Sequence, residues 1–207
     1  MKSVLLYPAY FPCIVQMVAV VQSSNITFEV EDNYQKQTYR NRAYIAHTNG
    51  RLLLNAPIKH SKNGRHQKTS DVQFEKAFPW REEHWKSIQN AYRTSPFFEY
   101  YEDDLAPLFK QPESFLLKHN FTIFETICEL IGFDPIYSKT TVFEKEPTYT
   151  DLRYLVNAKL KKTFQLQPYT QVFEAGHGFL PNLSILDLVF NEGPNTLNYL
   201  ESQELNF

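Results

Sequence analysis

Two arginines separated by a single residue could bind an anion. Arg40 and Arg42 alternate with Tyr39 and Asn41, so in an extended segment both guanidinium groups lie on one face. Each guanidinium presents a planar pair of donors that matches a phosphate or a carboxylate. The spacing therefore predicts a site for a small molecule that carries one of these groups, with Asn41 beside it. Ion pairs with acids of the protein's own surface are the alternative.

A glycine-flanked histidine is a second place where chemistry could occur. His177 stands between Gly176 and Gly178, which favours a loop over a core position. A histidine is the usual general base near neutral pH, and a carboxylate can orient its ring. The sequence thus offers His177 as a base, with Asp187 or Glu192 as its partner. A loop histidine without a catalytic role is the alternative.

Two tyrosines and one asparagine complete the candidate ligand-binding residues. Tyr7 and Tyr10 follow the first predicted strand, and in α/β sheets ligands lie beyond the carboxyl ends of strands. Their hydroxyls could contact a ligand, or the two prolines of residues 7–12 could make the segment a stiff aromatic corner. Asn120 falls within the apolar stripe of a predicted helix and needs hydrogen-bond partners there. It either contacts a ligand or caps a neighbouring loop.

Familiar catalytic and metal motifs are missing from the sequence. It contains no GxSxG, GxxxxGK[ST], GxGxxG or HExxH segment. Cys13 and Cys128 lie in apolar runs, which predicts buried thiols and a reducing compartment. No Cys or His spacing suits zinc, so neither a metal nor a cofactor is predicted.

The overall composition narrows the class of protein. The chain has 207 residues, of which 43% are hydrophobic and 15% aromatic, enough for one core formed by residues 1–207. A formal net charge of −2 gives no long-range attraction for nucleic acid. No run approaches the ~18 apolar residues that a membrane span needs. The length allows one large domain or two small ones, and a single domain over residues 1–207 is the prediction.

The first third of the chain predicts α/β structure. Residues 3–7 and 26–30 read as strands around a helix with an apolar stripe, which is a βαβ unit with a parallel pair. Asn49-Gly50 predicts a type I′ turn in a β-hairpin, because both central residues of that turn need positive φ. The basic segment 59–68 that follows is either a solvated surface loop or a mobile lid.

The rest of the chain predicts a helical middle and an α/β end. Three helical stripes cover residues 79–131, in segments that begin at Pro79, Phe97 and Pro112. A strand over residues 137–143 and a helix over residues 151–160 follow. Asn182 is placed to cap a last helix. The fold class is therefore α/β, with an N-terminal βαβ unit and hairpin, the helical subregion 79–131, and an α/β C-terminal part.

Several segments together resemble the WbqC-like family. They are Tyr7-Pro8-Ala9-Tyr10-Phe11-Pro12, Tyr39-Arg40-Asn41-Arg42, Asn49-Gly50 with Leu54-Asn55-Ala56-Pro57, Ile88-Gln89-Asn90-Ala91-Tyr92, Asn120 before the run 127–132, and residues 179–187. The likeness covers nearly the whole chain in the right order. Many members begin with His-Gln-Pro, where this chain has Leu6-Tyr7-Pro8, so a role for that His or Gln does not carry over.

The resemblance implies a bacterial protein of glycan or sugar-nucleotide metabolism in the cytoplasm. Members are often associated with genes for surface polysaccharide synthesis, and some are regarded as transferases on amino sugars. One hypothesis is therefore an acyl, aminoacyl or related transferase whose phosphate-bearing donor is held by Arg40 and Arg42. The other is a non-catalytic ligand-binding or scaffold protein whose aromatic surface holds a partner enzyme of glycan synthesis.

Overall fold

The structure, a computed structural model, describes residues 3–59, 66–110 and 113–207. The strands in these ranges are β1 Ser3–Leu6, β2 Asn25–Phe28, β3 Arg42–His47, β4 Gly50–Asn55, β5 Tyr137–Lys139 and β6 Thr150–Asp151. The α-helices are α1 Ile14–Val21, α2 Trp80–Tyr92, α3 Phe98–Leu105, α4 Pro107–Lys110, α5 Leu116–Leu130, α6 Glu174–His177, α7 Ile185–Glu192 and α8 Thr196–Ser202. The predicted α/β class is confirmed.

The βαβ unit at the start of the chain is also confirmed. β1 and β2 run parallel, with Ser3 opposite Asn25 and Leu6 opposite Phe28. Every residue of α1 is buried, because apolar side chains surround almost the whole helix. β5 and β6 add to the two sides of this pair, and the four strands form a parallel sheet in the order β5-β2-β1-β6. The unit therefore supplies the centre of the sheet.

The predicted hairpin forms, but its turn differs from the prediction. β3 and β4 are antiparallel, and His47 pairs with Gly50, so Thr48 and Asn49 make the connection. Gly50 has φ 103°, whereas Asn49 has no positive φ. A type I′ turn at Asn49-Gly50 is therefore wrong, since that turn needs positive φ at both residues. A glycine of positive φ directly after the turn is typical of a glycine bulge.

The helical middle is confirmed, with different helix ends. Pro79 precedes α2, as predicted. The helix predicted from Phe97 is two helices, because Pro107 has no N–H to continue the hydrogen-bond ladder of α3 and instead begins α4. Pro112 lies outside the described residues, and α5 begins at Leu116. The residues just before α5 are held in an extended segment, since Leu116 N donates to Val72 O at 2.9 Å.

The helix predicted over residues 151–160 is wrong. Asp151 belongs to β6 and lies opposite Leu5 of β1, and the N–H of Leu152 donates to Leu5 O at 3.0 Å. Pairing at the sheet edge thus supplies the hydrogen bonds that a helix would have made. A one-turn 3₁₀ helix, Arg153–Val156, follows. The strand predicted over residues 137–143 is confirmed only for Tyr137–Lys139.

Asn182 caps a different helix from the predicted one. The cap of α7 is Ser184, whose hydroxyl accepts from Leu186 N at 3.3 Å. Asn182 has φ 56°, and its Oδ1 accepts from Val15 N at 2.9 Å in the first turn of α1. Asn182 therefore caps a helix, as predicted, but that helix is α1 near the other end of the chain.

Some predictions concern residues or groups away from the sheet. Cys13 and Cys128 are buried free thiols, as predicted. Residues 60–65 of the predicted basic loop lie outside the described residues, so that loop stays a prediction. No group of three or more His, Cys, Asp or Glu side chains in the described ranges could hold a metal ion. None of the helices in those ranges combines the length and apolar character that a membrane span requires.

Candidate functional site

Polar side chains collect where the parallel strands end. β1 has β2 on one side and β6 on the other, so the chain leaves β1 in one direction and returns to its other side much later. Open α/β sheets bind ligands outside the carboxyl ends of strands at such a change of direction. Tyr7 follows β1, Glu29 follows β2, and Arg153 follows β6. This edge of the sheet is therefore the first place to look for a site.

Arg40 is built into this edge. Its Nη2 donates to Asp32 Oδ2 at 2.8 Å and its Nη1 donates to Thr69 Oγ1 at 3.0 Å. Its Cζ lies 3.7 Å from the centroid of the Tyr7 ring, so the predicted closeness of Arg40 to the segment after β1 is confirmed. The prediction that Arg40 and Arg42 line one pocket is wrong, because Asp32 holds the Arg40 guanidinium inside the protein, where its side chain is 1% exposed.

Burial keeps the Tyr7 phenol neutral. Removal from water, reinforced by the Asp32 carboxylate, raises the pKa of Tyr7 to about 12. The side chain is almost fully buried beneath Arg40. Tyr7 thus packs beneath Arg40 at this edge of the sheet. Of its two predicted roles, part of a stiff aromatic corner fits this burial better than a hydroxyl that contacts a ligand.

A second arginine joins the ends of β2 and β6. Arg153 Nε and Nη2 donate to the two oxygens of Asp151 at 2.9 and 2.7 Å, and its Nη1 donates to Glu144 O at 2.8 Å. The hydrogen bond from Arg153 lowers the pKa of Asp151. Glu29 Oε2 lies 3.7 Å from Arg153 Nη1 and is buried, with no hydrogen-bond partner among the described residues. Ion pairs therefore hold this edge together.

Arg42 faces a cleft beside the edge. The cleft has a volume of ≈ 340 Å³. Arg42 Nε is buried without a hydrogen-bond partner, and Arg42 forms no ion pair with the described residues. The described residues of the wall are Tyr34, Lys36, Gln37, Asn41, Arg42, Asn55, Pro57 and Ile58. Two cations and no carboxylate thus face the same space.

Asn41 and Tyr34 fix the wall of this cleft. The Tyr34 hydroxyl donates to Asn41 Oδ1 at 2.9 Å, and Asn41 Nδ2 donates to Ala56 O at 2.8 Å. Burial raises the pKa of Tyr34, which keeps the hydroxyl protonated as the donor. Arg42 is the first residue of β3, so the hairpin holds its backbone in place. The cleft is therefore a prepared surface with one cation on a rigid strand.

Tyr10 lies in the core. Its hydroxyl is hydrogen-bonded to His84 Nδ1 at 2.8 Å, and burial lowers the pKa of His84 to about 4. The imidazole is therefore neutral at pH 7, and its Nδ1 can accept from the phenol. The Tyr10 hydroxyl is engaged inside the protein, and the structure does not bring it to the cleft at Arg42.

Asn120 joins the middle of the chain to the arginine segment. Its Nδ2 donates to Arg40 O at 2.8 Å and to Pro8 O at 3.4 Å. The residue is 1% exposed. Of the two predicted roles, the capping of a neighbouring loop is the one that the structure shows. Asn120 thus positions Arg40 from α5.

His177 and Asp187 are engaged with different partners. Asp187 is fully buried and accepts hydrogen bonds from Tyr92 at 2.8 Å and from Tyr169 at 2.5 Å. The ring nitrogens of His177 lie 3.1 Å from His47 O and 2.9 Å from Gly178 O. No hydrogen bond joins His177 to Asp187 within the described chain.

Sequence reasoning missed several residues of the site. Asp32 follows the predicted strand 26–30, so the rule on strand carboxyl ends could have identified it. Lys36 is the first residue of the basic segment that contains Arg42, and its nearness to Arg42 in the sequence is the only signal for its place in the cleft. His84 lies four residues before Ile88 and is buried on the same face of α2, so helical spacing could have indicated its core position.

Comparison with known proteins places these residues in a family context. A model of the WbqC-like protein family matches residues 7–162, a range that includes both arginines and the cleft. The chain is 24% identical over 194 residues to an uncharacterized protein, Rv1507c, of Mycobacterium tuberculosis (strain ATCC 25618 / H37Rv). That alignment covers 81% of this chain and 83% of the relative. No solved structure matches the chain significantly.

Proposed function

The chain belongs to the WbqC-like protein family, and we propose that it binds the phosphate-bearing donor of a group-transfer reaction in the cleft at Arg42. The observation that carries the proposal is the state of the Arg42 guanidinium. It lines a cleft, and its Nε is buried with no hydrogen-bond partner in the described part of the chain. No described acid pairs with it. A buried donor without an acceptor is costly, and a phosphate oxygen would satisfy it.

The charge and size of the cleft suit such a donor. Lys36 and Arg42 supply two positive charges, and the other described wall residues are neutral. A volume of ≈ 340 Å³ lies in the range of small-molecule sites. The chain as a whole is slightly negative, so attraction of an anion depends on this local pair of cations.

Membership of the family suggests which kind of group is transferred. Members of the family are associated with surface polysaccharide synthesis, so the proposed reaction is the transfer of an acyl, aminoacyl or related group in amino-sugar metabolism. A cytoplasmic location remains a prediction that accompanies it. His177 has no part in this proposal, because its ring nitrogens lie against backbone carbonyls.

Arg40 supports the cleft without lining it. The ion pair with Asp32 fixes the backbone of residue 40, and Asn120 holds its carbonyl. Arg42 lies two residues further on, so this anchoring sets where β3 begins. In this proposal Arg40 supports the cleft and Arg42 lines it, in place of the shared anion site that the sequence predicts.

A calorimetric titration with Arg42 variants tests the proposal. The probes are a nucleoside-diphosphate sugar, an acyl-coenzyme A and inorganic phosphate, each titrated into the full chain. Arg42→Ala should weaken binding of the phosphate-bearing probe by about 10- to 150-fold, since a hydrogen bond to a charged group is worth roughly 1.5–3 kcal/mol. The matched control is Arg93→Ala, because Arg93 is exposed at the end of α2, outside the cleft.

Two results would contradict the proposal. One is binding of every probe that Arg42→Ala leaves unchanged in a variant with an unaltered melting temperature. The other is an equal loss of binding in Arg42→Ala and Arg93→Ala, which would indicate non-specific attraction of the anion.

A scaffold protein is the second candidate, and exposed apolar residues favour it. Ile136, Val142, Phe143 and Tyr149 are between 40% and 77% exposed, and they lie near one another in sequence, within residues 136–149. Large exposed apolar residues close together are typical of protein interaction sites. The replacement of Ile136 and Val142 by serine would abolish capture of a partner enzyme if this candidate is right, while ligand binding at Arg42 would stay unchanged.

A further inference from the structure

A separate cavity lies between the helices of the middle region. It has a volume of ≈ 470 Å³ and is bordered by residues of α4 and α5 and by Asp104 near the end of α3. The polar residues that line it are Asp104, Glu113, Lys118, His119, Thr122 and Thr126. None of the residues that line the cleft at Arg42 lines this cavity, so the two spaces are distinct.

His119 is the residue that marks this cavity as more than a surface hollow. It lines the cavity and yet is 2% exposed. Its Nε2 is buried and has no hydrogen-bond partner among the described residues. The ring packs among Tyr10, Phe74 and Trp80, with centroids 6.0, 5.4 and 6.5 Å away. A polar nitrogen in such surroundings is costly unless a ligand or water satisfies it.

The charges of the cavity differ from those of the cleft at Arg42. Lys118 pairs with Glu113 at 2.9 Å, which leaves Asp104 as a carboxylate with no ion pair in the described residues. Burial, followed by the nearby Arg81, lowers the pKa of His119 to about 4, so the imidazole is neutral at pH 7. The lining thus carries about one net negative charge, which disfavours a phosphate.

We infer that this cavity binds a polyhydroxylated small molecule that is neutral or carries one amine, with His119 as a hydrogen-bonding partner. Carboxylates and an imidazole nitrogen accept from hydroxyls, while Lys118 and the two threonines can donate. Leu108 and Pro107 give the cavity an apolar side against which the carbon skeleton of such a molecule packs. This inference goes beyond the donor cleft and does not depend on it.

The inference predicts an unusual effect of a His119 replacement on the stability of the protein. If His119 completed the core through hydrogen bonds, its replacement by an apolar residue would destabilise the protein. If the Nε2 of His119 is instead unsatisfied until a ligand binds, replacement removes an unsatisfied polar group from among aromatic rings and does not destabilise the protein. His119→Leu should therefore keep or raise the melting temperature while it weakens ligand binding.

The experiment uses the full chain with D-glucose and D-glucosamine as probes in saturation-transfer NMR titrations, and with inorganic phosphate as a probe in a calorimetric titration. Both sugars should bind, and His119→Leu should weaken them by roughly 2- to 10-fold, the value of one neutral hydrogen bond. Asp104→Asn should weaken glucosamine more than glucose. Its matched control is Glu129→Gln, the same chemical change on the exposed side of α5, away from the cavity.

Several outcomes would overturn the inference about this cavity. Binding of neither sugar at millimolar concentration overturns the inference, as does sugar binding that His119→Leu and Asp104→Asn both leave unchanged. A His119→Leu variant that melts at a markedly lower temperature shows a structural histidine and also overturns it. Loss of phosphate binding in Arg42→Ala alone leaves this cavity unaffected, so failure of one proposal is distinguishable from failure of the other.

Discussion

Arg40 and Asp32 form an ion pair inside the protein, with Arg40 Nη2 2.8 Å from Asp32 Oδ2. The two side chains are 1% and 3% exposed. Removal of either partner leaves an uncompensated buried charge, which costs roughly 3–5 kcal/mol. We therefore expect Asp32→Ala and Arg40→Met each to lower the free energy of unfolding by about this amount, measured by urea denaturation.

The double variant and a surface pair serve as controls for this prediction. Asp32→Ala with Arg40→Met should cost less than the sum of the single changes, because no lone charge remains. Lys68 and Glu31 also lie 2.9 Å apart, but their side chains are 55% and 33% exposed. Lys68→Ala should therefore cost far less than either single change at the buried pair, because water screens an exposed ion pair. Additive costs for Arg40 and Asp32 would show that the pair does not act as a unit.

Acid should destabilise the protein through two buried histidines. The pKa values of His84 and His119 are lowered from 6.5 to about 4, chiefly by burial. Between these values the unfolded chain binds more protons than the folded one, so stability falls as the pH drops from about 6.5 to about 4. Each shift corresponds to on the order of 3 kcal/mol.

Urea denaturation across this pH range measures the effect. His119→Leu should remove about half of the acid-dependent loss. An unchanged slope in His119→Leu would mean that this histidine is not held neutral by the fold. Below about pH 4 both histidines are protonated in both states, and their contribution to the slope ends.

The sequence predicted the elements whose signals are local. The apolar run of α1 between two short β-rich segments identified the parallel pair of β1 and β2. The hairpin was equally clear, since two strands flank a glycine. The helix expected over residues 151–160 failed because the backbone of Asp151 pairs with Leu5 of β1, and no local pattern shows where a distant strand leaves an open edge.

The turn of the hairpin provides a prediction about the backbone. Gly50 has φ 103° and an added Cβ would meet nothing within 4 Å, so Gly50→Ala should cost about 1–3 kcal/mol from backbone strain alone. Asn49 has no positive φ, and Asn49→Ala should therefore change stability by less than about 0.5 kcal/mol. Thermal unfolding of both variants is the measurement. Equal costs would restore the type I′ turn at Asn49-Gly50.

Asn182 connects two distant parts of the chain through one hydrogen bond. Its Oδ1 caps Val15 N at 2.9 Å, and its φ is 56°. Asn182→Gly loses the hydrogen bond to Val15 N, which is worth about 0.5–1.5 kcal/mol, while it keeps the left-handed backbone without strain. Asn182→Ala loses the cap and adds strain, so it should melt at the lower temperature of the two. The reverse order would exclude this account of Asn182.

The site was harder to predict than the fold, and the two arginines show why. Alternation along an extended segment predicted that Arg40 and Arg42 share one face, as they would in an ideal strand. β3, however, begins only at Arg42, so Arg40 precedes the regular part and turns to Asp32. The partner of a charged side chain depends on tertiary packing, and a single sequence gives no direct signal for it.

Lysine replacements at the two arginines should have opposite consequences, and this tests the division of tasks between them. Arg40 uses two nitrogens at once, toward Asp32 and Thr69, and stacks on Tyr7. A lysine keeps the charge but offers neither the planar fork nor the stacking surface. Arg40→Lys should therefore lower the melting temperature clearly. Binding of the phosphate-bearing probe by the fraction that remains folded should change little.

Arg42→Lys should do the reverse. Arg42 has no ion pair within the described chain, so its replacement should leave the melting temperature nearly unchanged. The lysine retains the positive charge in the cleft but loses the two-pronged geometry, so binding should fall by less than in Arg42→Ala. Calorimetric titration and thermal unfolding of both lysine variants measure the contrast. Equal losses of stability, or equal losses of binding, would show that the neighbouring arginines share one task after all.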